Sequence, residues 1–455
     1  MLVALFRKNL AIAVLIPLMT VSCWSGTVSG QEGSDLKGWT NWRGPNLNGS
    51  AAADARPPVK WDATTNIQWA TDLPGEGTST PIVLGDQIFV LSAAATDRKA
   101  ETPPAAAADS KTIPPDVYYQ FIVTCVDRTT GNVAWQQTAI EEVPHEGHHP
   151  THTYAAGSPT TDGKRLYVSF GSRGIFCYSL SGELLWKQQL GKMHTRFGWG
   201  EAVAPVIAGD LLIVNWDQEQ DSFITALDAA TGQPVWKTDR PGEVTSWNTP
   251  LVTEFNGRKQ IIVNGTDRAR SYDLKTGKEI WSCGGQTVNA IPSPLRYEDF
   301  VVCMSGYRSA AAFAIPLSSE GDITSQSKTL WSWAEGTPYV PSPSLSGRRL
   351  YFTANTNSIL SCLDVTTGRP LVEQKRLSGV GNLYASPLIA NGHVYITGRD
   401  GTTVVLKDDD SLEIVATNEL KDQIDASPIA VGNQLFLRSW KKLYCIADTT
   451  SAASR

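Results

Sequence analysis

Ser386-Pro387-Leu388-Ile389-Ala390-Asn391-Gly392-His393-Val394-Tyr395-Ile396 reads as a β-hairpin. A proline opens a short apolar run, Asn391-Gly392 accepts the left-handed backbone of a tight turn, and a second apolar run follows. The arrangement recurs along the chain. A small residue precedes proline at Thr80-Pro81, Ser158-Pro159, Ala204-Pro205, Thr249-Pro250, Ser293-Pro294, Ser342-Pro343, Ser386-Pro387 and Ser427-Pro428. Seven intervals separate the eight copies, six of them between 41 and 49 residues and the first one 78. Equivalent turns stand at Gly85-Asp86, Asp162-Gly163, Gly209-Asp210, Asn256-Gly257, Glu298-Asp299, Ser346-Gly347 and Gly432-Asn433.

Downstream of each hairpin lies a third apolar run, as in Ile224-Thr225-Ala226-Leu227-Asp228, then a turn and a fourth run ending near tryptophan. Four antiparallel strands per unit, repeated eight times, predict an all-β, eight-bladed β-propeller. Helix pairs are excluded, since no 3.6-residue apolar period is present. The last unit supplies three strands and ends at Leu443-Tyr444-Cys445-Ile446-Ala447. Asn66-Ile67-Gln68-Trp69 supplies the fourth, so N- and C-terminal strands are expected to share one blade and close the ring over residues 66–448, removing two sheet edges.

The remaining segments read by composition. Arg7 and Lys8 precede an apolar run from Leu10 to Val21, the size of a signal-peptide core, so residues 1–30 are expected to direct export. Cleavage suits Gly30, or a position before Cys23, which would make a lipoprotein. No later run resembles a membrane-spanning helix. Residues 31–65 form an N-terminal extension, expected to wrap the outside of the ring. Residues 94–116, with Pro103-Pro104 and Pro114-Pro115, read as a flexible insertion in the first blade, and residues 449–455 as a disordered tail.

Of the 455 residues 41% are apolar and 18% charged, which permits a large core. The 39 basic against 45 acidic side chains give a net charge of −6 and no long basic run, which argues against nucleic acid as a partner.

Asp-x-x-Thr-Gly-x-x-x-Trp is complete at Asp127 to Trp135, Asp228 to Trp236 and Asp273 to Trp281, with partial copies at Gly182 and Trp186 and at Gly368 and Val372. This resembles the tryptophan-docking motif of the pyrroloquinoline-quinone (PQQ) repeat family. That family includes quinoprotein dehydrogenases and non-catalytic members of the BamB type, which serve outer-membrane protein assembly. Trp39-Thr40-Asn41-Trp42-Arg43-Gly44-Pro45 is similar to the opening of exported PQQ-like propellers. The resemblance implies that each motif Trp packs between blades. Quinoprotein dehydrogenases usually add a vicinal Cys-Cys disulfide and a calcium site, and no two Cys are adjacent here. The expected function is therefore a non-catalytic scaffold of the cell envelope, a monomer whose partner is an envelope protein or component. The alternative is a redox enzyme of the alcohol or aldose dehydrogenase type, using PQQ with calcium.

Residues just before each repeat proline should line one mouth of the channel: Tyr154, Glu201, Trp247, Asn248, Asn289, Tyr339, Asn382, Tyr384 and Asp425. Such a ring suits a cation or a flat polar ligand, or simply ordered water. In the redox reading Glu201 and Asn289 are cation ligands, Trp247 a stacking face and Asp425 the base. His145, His148, His149 and His152 crowd one loop and form a candidate metal cluster, although their spacing matches no structural zinc pattern. Asp217, Glu219 and Asp221 alternate as in a solvated acidic turn. Cys125, Cys177, Cys362 and Cys445 share one register and are expected buried and unpaired, whereas a Cys283 to Cys303 bridge stays open.

Overall fold

Proline and turn spacing set the architecture of the computed structural model, which describes residues 36–105, 111–325 and 328–448. The expected signal peptide with its Cys23 alternative, the centre of the insertion and the C-terminal tail lie outside the described residues. Eight sheets of four or five strands, antiparallel but for one short added strand, form the blades. The third blade is representative, with Val206–Ala208, Leu211–Trp216, Phe223–Asp228 and Pro234–Asp239 in consecutive order from the channel outward. Its third strand is buried almost throughout because neighbouring blades cover both faces, while its fourth alternates and meets solvent. Each hairpin turn carries a left-handed residue, such as Gly85, Gly163, Gly209, Glu298 or Asn391. Ile67–Asp72 pairs with Lys442–Ile446, with Trp69 opposite Cys445, so the terminal strands close the ring as expected.

Tryptophans hold blade to blade. Trp69, Trp135, Trp186, Trp236 and Trp331 each donate the indole N–H to a carbonyl of the next blade, at Arg128, Leu180, Ala229, Leu274 and Val365. Asp228 Oδ1 shapes the receiving turn by accepting from the Thr231 N–H and hydroxyl. Trp281 departs from this pattern: Gly321–Asp322 adds to its strand in parallel, and its indole N–H is buried without a partner.

The small residue before each proline also has a role. Around the channel the N–H groups of Ser293, Ser342, Ser386, Ser427 and Thr80 donate to the hydroxyls of Ser342, Ser386, Ser427, Thr80 and Ser158 in turn, at 2.9–3.1 Å. This relay lapses around Ala204, which has no hydroxyl.

Two readings are corrected. The extension does not simply wrap the outside. Gly38–Trp39 pairs with Ile82–Leu84, the innermost strand of the first blade, and the segment then crosses one end of the channel. Thr40 O accepts from Thr161 N–H, Arg43 bonds Pro343 O and Ser344 Oγ, and Ala51 N–H donates to Ile389 O. Only beyond this does it pass outward, where Tyr395 OH meets the Pro57 and Pro58 carbonyls. The open inner edges of the blades supply unpaired backbone groups, and the extension satisfies them. Nor is 94–116 all loop. The second strand of the first blade continues to Lys99, and on the return Thr112 bonds Phe197 O while Ile113 exchanges backbone bonds with His148.

All six described cysteines are free and buried. Cys283 and Cys303 share a core cluster as separate thiols, and burial pushes the Cys283 thiol up to about 11.

Candidate functional site

A propeller strand order places two sets of loops at one end of the channel: those preceding each repeat proline and those joining second to third strands. Together they enclose a cavity of about 780 Å³. Phe197 and Trp199 come from the connection of blades two and three, Trp247, Tyr339 and Tyr384 precede prolines, and Tyr307 follows the second strand of blade five. Arg308 and Lys111 add positive charge, and Trp42 from the extension lies at the cavity's inner limit.

The walls are held by hydrogen bonds and ring contacts. Trp247 Nε1 donates to Gly200 O at 2.8 Å, and Tyr307 packs on Tyr339 with ring centroids 4.8 Å apart. Tyr384 OH meets Thr151 Oγ1 at 3.0 Å, and Thr151 in turn bonds His149 Nδ1. Phe197 and Arg308 are non-glycine residues at φ near 60°, a conformation retained where surroundings over-determine it and frequent at binding sites.

Of the residues expected at the mouth, Trp247, Tyr339, Tyr384 and Asp425 line the cavity. Both Asp425 oxygens are engaged, by Arg399 at 2.5 and 3.1 Å and by Trp440 Nε1 at 2.7 Å. Glu201 lies beneath the rim, paired with Arg173 at 2.7 Å and accepting from Ser172 N–H. Tyr154 is wedged between Tyr119 and His148, and Asn382 is exposed with its carbonyl accepting from Arg399 N–H. Asn248 ties blade four to blade five through Pro292 O. Asn289 is buried against Tyr339, and its amide makes no hydrogen bond of normal geometry. Phe197, Trp199, Tyr307, Arg308 and Lys111 were not expected. The rule that would have found Tyr307 and Arg308 is topological: second-to-third connections open at the same mouth.

The four clustered imidazoles serve separate contacts. His145 Nε2 meets Met193 O at 2.6 Å, His148 Nδ1 meets His149 O, and His152 Nε2 meets Glu201 O at 3.0 Å. Among the described residues no three His, Cys, Asp or Glu side chains converge on a metal-sized point. Burial lowers the affinity of His145, His148 and His152 for protons, that of His152 to about 4 from an ordinary 6.5. Between those values the His152 imidazole holds more proton in the unfolded chain than in the folded one, so its contribution to stability is full above pH 6.5 and falls as pH drops towards 4. Relative to His152→Asn, the urea midpoint of the unsubstituted chain should decline over this range. An unchanged slope in that variant would exclude His152 as its source.

The acidic turn is also corrected. Glu219 and Asp221 are exposed, but Asp217 is fully buried and pairs with buried Arg240 at 2.7 Å.

A family model described as outer membrane protein assembly factor BamB, a PQQ-type propeller, matches residues 120–374, more than half of the chain. The chain belongs to this family. Among solved structures this BamB-type propeller is similar to BamB from Moraxella catarrhalis, at 16% identity and a TM-score of 0.52, covering 78% of this chain and 99% of that one. It is similar to the quinohemoprotein alcohol dehydrogenase from Comamonas testosteroni, at 11% identity and 0.58, covering 90% and 80%. The Dos1 propeller matches at 12% identity and 0.54, covering 87% and 96%. At these identities the likeness concerns the fold, which serves both an outer membrane protein assembly factor and an alcohol dehydrogenase. No curated protein sequence matches the chain significantly. No helix among the described residues is long and apolar enough to cross a membrane.

Proposed function

We propose that this BamB-type propeller is an exported binding module of the cell envelope whose working part is the mouth cavity, a site for a flat, anionic ring ligand. The carrying observation is the lining: seven Phe, Tyr and Trp side chains around the cavity, Arg308 and Lys111 beside them, and a carboxylate, Asp425, already neutralised by Arg399. Aromatic faces take a ring at small entropic loss, and the cations favour its acidic substituents. A partner protein expected of an envelope scaffold would meet the same rim.

PQQ, a planar quinone bearing carboxylates, suits those walls. Its usual calcium does not suit the donor set, because Glu201 is bound to Arg173 and Asp425 to Arg399 and Trp440. Asp425 likewise has no uncommitted oxygen with which to serve as a base. Titration with PQQ, with and without calcium, followed by absorbance, tests the reading. Binding should be independent of calcium and fall at least about tenfold, roughly 1.4 kcal/mol, in Trp247→Ala and in Arg308→Ala. Calcium-dependent binding with oxidation of an alcohol or aldose by an artificial acceptor would overturn the module in favour of a dehydrogenase. Failure of PQQ and of other aromatic carboxylates to bind would remove both.

A further inference from the structure

A second cavity, of about 660 Å³, lies at the opposite end of the innermost strands, reaching to Gly209 and Glu298 in the hairpin turns. Four residues border both cavities: Ser158, Ala204 and Thr249, which stand at the level of the repeat prolines, and Trp42. The first three belong to the channel wall. Trp42 belongs to the extension, and therefore stands between the two spaces as a septum that the repeats themselves do not supply.

Trp42 is also firmly placed. On its N-terminal side Gly38–Trp39 is paired to the first blade, and Trp39 is 2% exposed with its indole N–H donating to Trp42 O. On its C-terminal side Arg43 is buried, anchored to Pro343 O and Ser344 Oγ of blade six, with its guanidinium 5.4 Å from the Trp42 ring. Further anchors follow at Asn48 O to Leu345 N–H and at Ala51 N–H to Ile389 O. The segment thus spans the ring from blade one to blades six and seven. A side chain tethered from both sides keeps one orientation at little entropic loss, which is what a stacking platform needs.

Resting on the reading of the mouth cavity as a ligand site, we infer that the extension is part of that site: it closes the channel and delivers the Trp42 indole as the inner face on which the ring ligand stacks. The cavity is then a blind pocket, walled by the repeats and floored by the extension.

The full chain labelled with 5-fluorotryptophan tests this, with calcium-free PQQ as the probe and the Trp42 resonance assigned by its loss in Trp42→Phe. On saturation the Trp42 resonance should shift, affinity should fall at least tenfold in Trp42→Ala, and Trp42→Phe should retain most of it. The shift is read on the unsubstituted protein and does not depend on the variants folding. If PQQ binds and moves the Trp199 and Trp247 resonances while Trp42 stays still and Trp42→Ala binds normally, the inference fails and the cavity reading survives. If neither PQQ nor any other aromatic carboxylate binds, the cavity reading fails and takes this inference with it.

Discussion

Arg240→Ala should lower the free energy of unfolding by about 3–5 kcal/mol, the range found when one partner of a buried ion pair is removed. The Arg240 side chain is completely buried, 2.7 Å from Asp217 and 3.3 Å from Glu243, and donates to Tyr272 OH at 2.6 Å. Asp217 also accepts from Ser246 Oγ and Asn215 Nδ2, and Glu243 from Arg270 and Thr266 N–H. Truncation would leave Asp217 charged, buried and without a cation. Burial and the nearby Asp217 charge hold the Glu243 carboxyl up at about 7, against an ordinary 4.5. A carboxyl raised in this way favours the folded state below its unfolded value, and the advantage is lost as pH rises through the folded one. The deficit of Arg240→Ala should therefore be smaller at pH 5.5, where protonation of Glu243 relieves its repulsion with the unpaired Asp217, than at pH 8. Urea unfolding at both pH values would measure it. A loss below about 1 kcal/mol at pH 8 would mean that desolvation of the network cancels its attraction.

The position of this network explains its presence. Asp217, Arg240 and Glu243 come from blade three and its exit, Arg270 and Tyr272 from blade four. This is the part of the ring where the hydroxyl relay lapses. Across the next junction Asn248 and Asn264 reach Pro292 O, and on the other side Glu201 reaches back to Arg173. Where a seryl hydroxyl does not join neighbouring blades, a longer polar side chain does.

Such compensation marks the limit of what the sequence conveys. Ser386-Pro387 and Asn391-Gly392 report the fold directly, because a fixed φ, a left-handed turn and an apolar run are local properties repeated at a constant interval. Trp186 and Gly232 were legible for the same reason. Asp217 was not: its alternation with Glu219 and Asp221 looks like solvated charge, and Arg240, which makes its burial tolerable, is 23 residues away. The extension escaped because a two-residue strand such as Gly38–Trp39 has no period to detect, and its partners are edges that exist only once the ring has formed. At the mouth, Trp247, Tyr339 and Tyr384 were found by their place before prolines. Phe197 and Trp199 sit in an aperiodic connection, and only the closed ring brings them opposite Tyr307.

Docking of tryptophan on the neighbouring turn yields the other large effect. In Gly232→Ala the backbone at φ 74° would hold a side chain in the left-handed region, a penalty of about 1–2 kcal/mol. The added Cβ would also fall 2.5 Å from Trp186 Cε3, so the indole that caps this turn and bonds Ala229 O must move. Displacing a well-packed ring adds about 1–3 kcal/mol, for a total of about 2–5 kcal/mol. Gly257→Ala separates the two contributions, since Gly257 has nearly the same φ, 76°, and an alanine methyl there would meet nothing within 4 Å. It should lose the backbone part alone. Thermal and urea unfolding of the two variants, followed by tryptophan fluorescence, give the comparison. If both lose the same amount, the Trp186 contact adds nothing to the junction of blades two and three, and cohesion there rests on the apolar cluster of Tyr167, Leu212 and Val214 behind it. If Gly232→Ala loses substantially more, the indole on glycine is itself a fastening, and the same geometry at Gly131, Gly182, Gly277 and Gly368 carries it to four further junctions of the ring.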